Sequence, residues 1–380
     1  MDNTRWAWAE IDLRAVRHNV QVVRRLVAPA GVLAVVKADG YGHGAEAVAR
    51  AALDAGAAGL GVALVQEGIE LREAGITAPI LLMSQQPLEQ SADIVAHGLT
   101  PTVYDSASID SFEQAASSAG RTRRTAVGVH IKVDTGMHRV GCRPDEVATL
   151  VKHIEAADGI RLAGLFTHLA IADEPDDPYT DSQLRQFDES LAKVMEAASD
   201  RQRIVVHAAN SAGALAHPAS RHSFVRLGIA MYGIEPGDGV ASLCGDLEPV
   251  MSLKARVSFV KRVAEQDRIS YGLRHRFDSQ TNVATVPIGY ADGVPRRLFQ
   301  TGGHVLIGGR RRPIVGVVTM DQLMVDCGDD HVVAGDEVVL LGRQGDERIR
   351  AEEWASRLDT IPYEVTCAIS KRIDRRLIDD

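Results

Sequence analysis

Lys37 closes the apolar run Val32 to Val36 and is followed by Tyr41 inside a glycine-rich turn, in the stretch AVVKADGYGHG from Ala34 to Gly44. An amine at the mouth of a buried strand can form a Schiff base with an aldehyde. Taken alone, a lysine that ends a strand is more often a solvated charge, because loop ends are generally polar. Five other positions share its placement at or near the end of an apolar segment: Arg139, His168, Ser211, Arg226 and Gly228. Together they offer a cation for a carboxylate, a histidine to carry a proton, and a backbone cradle with a hydroxyl for an anion.

The elements that must position these groups are strands alternating with helices. Eight apolar segments begin at Val32, Gly59, Ala78, Leu99, Ala126, Ile160, Arg203 and Phe224, with helical stretches such as Ala45 to Ala57 and Asp181 to Ala198 between them. Eight such alternations fit a TIM-type (β/α)8 barrel, although a doubly wound sheet has the same local signature. The candidate residues favour the barrel, since strand C-termini there converge on one rim. After Gly233 the texture changes to short β-branched segments with Gly and Asp turns, interrupted by one short helix near Ala351 to Arg357. The expected organisation is an α/β barrel over residues 12–240 followed by a mostly β C-terminal domain over 241–380. Trp6 to Ile11 reads as a strand, and Asp12 as the cap of a helix from Leu13 to Ala28.

Composition narrows the function. The chain has 380 residues, 45% hydrophobic and 24% charged, which is globular material long enough for two domains. A net charge of -9 leaves no basic face for nucleic acid, and the arginine clusters at 121–124 and 310–312 are short. Cys142, Cys244, Cys327 and Cys367 are scattered without metal-ligand spacing, so they read as reduced, and no metal site is expected. No apolar stretch approaches a membrane span and no signal core opens the chain, which points to the cytoplasm.

The Lys37 stretch resembles the pyridoxal-phosphate attachment motif of alanine racemases, and matching segments recur in family order. These are IKVDTGMHRVG from Ile131, LFTHLA from Leu165, Asn210 with Ser211, VRLGIAMYG from Val225, SYG from Ser270, PIGYADG from Pro287, TMDQ from Thr319 and IPYEV from Ile361. The resemblance implies pyridoxal 5'-phosphate as cofactor, carried on Lys37. Its phosphate would be held by backbone N–H groups around Gly228 and Ile229, with Asn210, Ser211, Tyr41 and Tyr363, and its ring nitrogen would face Arg226. An arginine keeps its proton, so the ring would stay a weak electron sink, which suits exchanging one proton and disfavours side reactions.

The resemblance also implies a two-base interconversion of L- and D-alanine, with Lys37 serving one face and Tyr271 of a partner subunit the other. A tyrosine ordinarily holds its proton at neutral pH, so His168 is the candidate to assist it. Arg139 and the backbone N–H of Met320 would bind the substrate carboxylate. Lys132 matches a lysine that is carbamylated in relatives, and Tyr290 and Asp321 match residues lining the entrance channel. The implied protein is a cytoplasmic homodimer supplying D-alanine for cell walls, and the resemblance implies that its N-terminal strand, residues 1–11, joins the C-terminal domain. Its rivals are a racemase of serine, lysine or a broad range of amino acids, a barrel-type decarboxylase, and a non-catalytic pyridoxal-phosphate binder. Leu227, Val294 and the basic run LRHR from Leu273 depart from the family pattern, and they bear on cofactor affinity, entrance shape and pH dependence.

Overall fold

The computed structural model describes residues 5–379 and divides into two compact units. An α/β unit comprises Val16–Gly40 and Ala45–Leu247, and a β-rich unit comprises Met1–Ala15, Tyr41–Gly44 and Glu248–Asp380. The short segment Tyr41–Gly44 therefore groups with the β-rich unit. Close packing explains this, since a Cβ on Gly42 would lie 2.3 Å from the Thr366 carbonyl oxygen, and Arg375 donates to the Gly42 carbonyl.

After β1 (Ala7–Asp12), the chain enters the α/β unit through the helix Leu13–Val27, whose start is capped by Asp12 Oδ1 accepting from the Arg14 and Ala15 N–H groups. Eight strands follow: β2 (Gly31–Val35), β3 (Gly59–Val62), β4 (Ile80–Leu82), β5 (Thr102–Val103), β6 (Val127–Lys132), β7 (Ile160–Phe166), β8 (Val205–His207) and β9 (Phe224–Leu227). A helix separates each from the next, which is why all pairings are parallel. The strands are short and buried, and Val32, Leu60, Ile80, Ile131, Leu165 and Val225 have no exposed surface.

The expected single barrel sheet is met only in part, because the strands form two four-stranded sheets, β4-β3-β2-β9 and β5-β6-β7-β8. The first strand of the set, β2, pairs with the last, β9. At one break Leu82 N–H donates to Thr100 O and Thr100 N–H to Ile80 O, and the following Pro101 has no N–H to extend the ladder. At the other, Ser223 N–H donates to Val206 O and Arg226 N–H to Ala209 O.

The β-rich unit adds β10 (Met251–Arg256), β11 (Phe259–Val263), β12 (Arg268–Ile269), β13 (His275–Arg276), β14 (Thr281–Val286), β15 (His304–Ile307), β16 (Arg310–Val315), β17 (Leu323–Asp326), β18 (Glu337–Gln344), β19 (Glu347–Ile349) and β20 (Asp374–Ile378). Its large sheet runs β11-β14-β17-β16-β15-β18-β10-β1-β20, with β19 on β18. Strand β1 lies inside it, antiparallel to β10 and parallel to β20. Two helices occur here, Ala351–Leu358 and Pro362–Cys367, where the sequence suggested one. The second begins with proline, whose missing N–H costs nothing in the first turn.

Candidate functional site

Lys37 sits two residues beyond β2 and opens a turn with left-handed backbone: φ is 52° at Ala38, 52° at Asp39, 62° at Gly40 and 55° at Tyr41. Three of these four are not glycine, at a cost of about 1–2 kcal/mol each. Compensating bonds hold the turn in place. Glu67 Oε1 accepts from the Ala38 N–H at 2.6 Å while its Oε2 accepts from Ala63 and Leu64, and Asp39 Oδ1 accepts from Ala45 at the start of the next helix. Glu67 has no local sequence signal for this role. Glu67→Gln turns one acceptor into a donor facing N–H groups, so urea unfolding should show a stability loss of about 1.5–3 kcal/mol.

Arg226, on β9, is the centre of the α/β unit's polar cluster and is 2% exposed. Its Nη1 donates to His207 Nδ1 at 3.0 Å and to the His207 carbonyl, and its Nη2 donates to the Thr167 and Ala208 carbonyls and to His168 Nδ1 at 3.2 Å. Its guanidinium carbon lies 5.4 Å from the Phe166 ring centroid. Burial pulls its pKa down to about 9, which still leaves it charged at neutral pH. Its Nε is buried with no hydrogen-bond partner among the described residues. An orphaned, cationic donor of this kind calls for an acceptor from a ligand.

His168 and His207 both accept from Arg226 through Nδ1, so each neutral ring carries its proton on Nε2. Burial and then the Arg226 charge hold both well below the ordinary histidine range. Beneath His168 lies a buried polar brace: Gln183 Nε2 donates to the His168 carbonyl and to Thr135, and Thr135 bonds Thr167 at 2.7 Å.

Arg139 is exposed on the loop after β6, whose bend is held by Asp134 Oδ1 accepting from the Gly136 and His138 N–H groups. Lys132 ends β6, is 5% exposed, and places Nζ 5.4 Å from the Phe166 centroid. Its pKa is lowered to about 8 by burial first, then by Arg226, Arg139 and Lys37. The same four cations, Arg226, Lys132, Arg139 and Lys37, depress His168. The structure thus brings Lys37, Lys132, Arg139, His168 and Arg226 into one electrostatic neighbourhood that favours anions.

Asn210 and Ser211 lie at the entry to the helix Ser211–Ala216, but their parts differ. Asn210 is the cap, accepting from Gly213 N–H, whereas Ser211 Oγ accepts from the Gly228 and Ala230 N–H groups at 3.0 and 3.3 Å. Ser211, Gly228 and Ile229 are therefore one constellation, buried between that helix and the end of β9.

In the β-rich unit, Tyr41 and Tyr363 are neighbours, with ring centroids 6.1 Å apart. Burial, then Tyr363 and Cys367, push the Tyr41 hydroxyl above its ordinary range, so it remains a donor. Tyr290, Met320 and Asp321 are brought together by the antiparallel pairing of β14 with β17, which places their loops at one end. Tyr290 N–H donates to Thr319 O and Ala291 N–H to Met320 O, and a Cβ on Gly289 would lie 2.3 Å from the Thr319 oxygen. Asp321 is tied to Arg372 at 2.7 Å, and Arg372 also approaches the fully buried Asp292. Tyr271 stands 72% exposed on the turn between β12 and β13, its hydroxyl unbonded among the described residues.

Sequence reasoning missed Glu67, His130, Phe166, Gln183 and His207. No helix of the described residues is long and apolar enough to cross a membrane, and no group of three or more metal-ligating side chains is clustered among them.

Comparison with known proteins matches residues 11–236 to the N-terminal domain of alanine racemase and residues 250–377 to its C-terminal domain. The chain is 46% identical over 376 residues to an alanine racemase of Symbiobacterium thermophilum, covering 99% of this chain and 98% of that protein. The crystal structure of alanine racemase from E. faecalis is similar with a TM-score of 0.92 at 38% identity, covering 100% of both chains. The alanine racemase of Bacillus anthracis with bound L-Ala-P gives the same TM-score and identity, covering 100% of this chain and 97% of that one.

Proposed function

Because the chain belongs to the alanine racemase family, we propose that it interconverts L- and D-alanine by a two-base mechanism using pyridoxal 5'-phosphate. The observation that carries this reading is the buried, partnerless Nε of Arg226, itself one of four neighbouring cations, which suits a ring acceptor bearing a phosphate and a substrate bearing a carboxylate. When bound, pyridoxal phosphate supplies an aldehyde for the amino group and a ring that acidifies the Cα proton.

The protein's own residues do the rest. Lys37 would hold the cofactor's aldehyde and would move the proton of D-alanine on one face. Arg226 would donate to the ring nitrogen while keeping its own proton. Ser211, Gly228 and Ile229 would hold the phosphate, with Asn210 capping the helix that carries Ser211 and Tyr41 and Tyr363 as hydroxyl donors. Arg139 and the Met320 N–H bind the carboxylate, while Tyr290 and Asp321 narrow the entrance. Tyr271 of a second copy moves the proton of L-alanine on the other face, with His168 assisting it through Nε2–H. The exposure of Tyr271, Leu273, Tyr290, Met320 and Ile361, all on the β-rich unit, supports a homodimer that covers them. The pairing of β2 with β9 and the bonds across both sheet breaks support a (β/α)8 barrel. The proposed setting is the cytoplasm, supplying D-alanine for peptidoglycan.

Lys132 is the proposed site of a carbamate whose negative charge would hold Arg139. Carbon dioxide adds to the neutral amine only, and a pKa of about 8 makes that fraction appreciable near neutrality. The sign follows: labelling with ¹³C carbon dioxide should give a carbamate resonance that grows as pH rises from about 7 to 9 and is lost in Lys132→Met. A resonance insensitive to that substitution would remove the assignment.

The deciding assay is racemisation of L- and D-alanine by the cofactor-loaded protein, with serine and lysine run alongside. Fast interconversion of alanine with serine slow is expected, since excluding one extra hydroxyl is hard for a pocket. Bound cofactor without alanine turnover would sink the reading.

A further inference from the structure

Three buried groups form a chain that the proposed reaction does not use in full. Arg226 Nη1 donates to His207 Nδ1 at 3.0 Å, and His207 Nε2 lies 3.1 Å from His130 Nδ1. Only one direction satisfies both bonds. Arginine is a donor alone, so His207 must accept at Nδ1, carry its proton on Nε2 and donate to His130 Nδ1. His130 must then carry its own proton on Nε2. Burial, reinforced by the Arg161 charge, holds His130 neutral, with a pKa lowered to about 3.

The backbone is shaped for this contact. The β6–β7 ladder slips between Val129 and His130, so His130 pairs with Gly164 rather than with Ala163. Such an irregularity re-aims a side chain, and glycine opposite it leaves room for the imidazole to lie over the neighbouring strand. A Cβ at Gly164 would sit 2.5–2.7 Å from three atoms of the His130 ring. Phe166, next on the same face of β7, stacks on His207 at 4.7 Å with the planes 10° apart, and it lies under the Arg226 guanidinium.

We propose that His130, seated over Gly164, is a positioning residue that accepts from His207 Nε2–H and so holds the ring on which Arg226 rests, and with it the orientation in which Arg226 presents its free Nε–H. Without His130 the buried His207 Nε2–H loses its acceptor, and the ring is no longer held from the side opposite Arg226. The catalytic part of this inference rests on the reading that Arg226 partners the cofactor ring; the positioning of His207 does not.

The test separates the two. Full-length protein with ¹⁵N-labelled histidines, with and without cofactor, reports the protonated nitrogen of His207 by two-bond nitrogen–proton correlation, assigned by its loss in His207→Gln. Wild type should show Nε2–H. His130→Leu, which removes the acceptor, should leave the proton on Nε2 but move the His207 Nδ1 resonance that reports the contact with Arg226, shift the bound cofactor's absorbance and lower kcat about tenfold with KM little changed. His130→Gln, which keeps an acceptor, should restore the wild-type pattern. Gly164→Ala, which displaces the ring without removing it, should act as His130→Leu does and serves if that variant fails to fold. An unchanged His207 Nδ1 resonance in folded His130→Leu or Gly164→Ala overturns the proposal. A moved Nδ1 resonance with unchanged absorbance and kcat supports the positioning of His207 and overturns the pairing of Arg226 with the ring.

Discussion

Lys37→Ala is expected to fold normally and to lose alanine racemisation by roughly 10²–10⁴-fold or more, the scale of a positioned proton-transfer group. The fold should persist because the turn after Lys37 is held by other groups, namely the Glu67 carboxylate, the Asp39 cap and the Gly40 N–H on Val36 O. None of these bonds uses the lysine amine. The cofactor should bind more weakly and should no longer be trapped on the protein by borohydride reduction, which captures a Schiff base with a lysine. Removing this cation should also ease the depression of Lys132 and His168, since Lys37 contributes to both. Partial rescue by an added small primary amine would show that the missing function is the amine itself. Wild-type turnover, or covalent cofactor retained after reduction, would rule Lys37 out of the role.

How much of this was readable before the structure depends on whether the signal was local. Lys37 is marked by the apolar run before it, and the eight alternations appear as eight helix-separated strands. Ala38 and Asp39 adopt left-handed backbone without any residue-level cue, because that strain is held by Glu67 from the first turn of the helix Val65–Glu73. Ile361 and Val365 made a six-residue helix look like β texture, and only Pro362 at its start argued otherwise. His130 and His207 each read as a single histidine on an apolar strand, and their partnership exists only through strand pairing across β6, β7 and β8. Gly164 within LAGLF was the available hint, since glycine inside a strand marks a close approach. The division of the eight strands into two sheets was hidden because hydrogen-bond continuity is not a property of the apolar pattern.

Tyr271→Phe is the more discriminating substitution, because it removes one hydroxyl and nothing else. The side chain is 72% exposed on a turn shaped by positive φ at Ser270, Gly272 and Leu273 and anchored by Ser270 Oγ on the Val317 carbonyl. Stability should therefore change by less than about 0.5 kcal/mol, and cofactor binding should be unaltered. Racemisation should fall by roughly 10²–10⁴-fold, and the loss should be lopsided. In deuterated water the variant should still exchange the α-hydrogen of D-alanine through Lys37, returning labelled D-alanine, while exchange from L-alanine collapses. Equal loss of exchange from both enantiomers would contradict a two-face mechanism.

The same variant tests whether the tyrosine acts across a dimer. Mixing Lys37→Ala chains with Tyr271→Phe chains yields hybrids in which one site lacks both groups and the other has both intact. Random pairing makes half the dimers hybrids with one good site each, so activity should return to roughly a quarter of wild type. If each site used a lysine and a tyrosine from one chain, every site in the mixture would lack one of them and no activity would return.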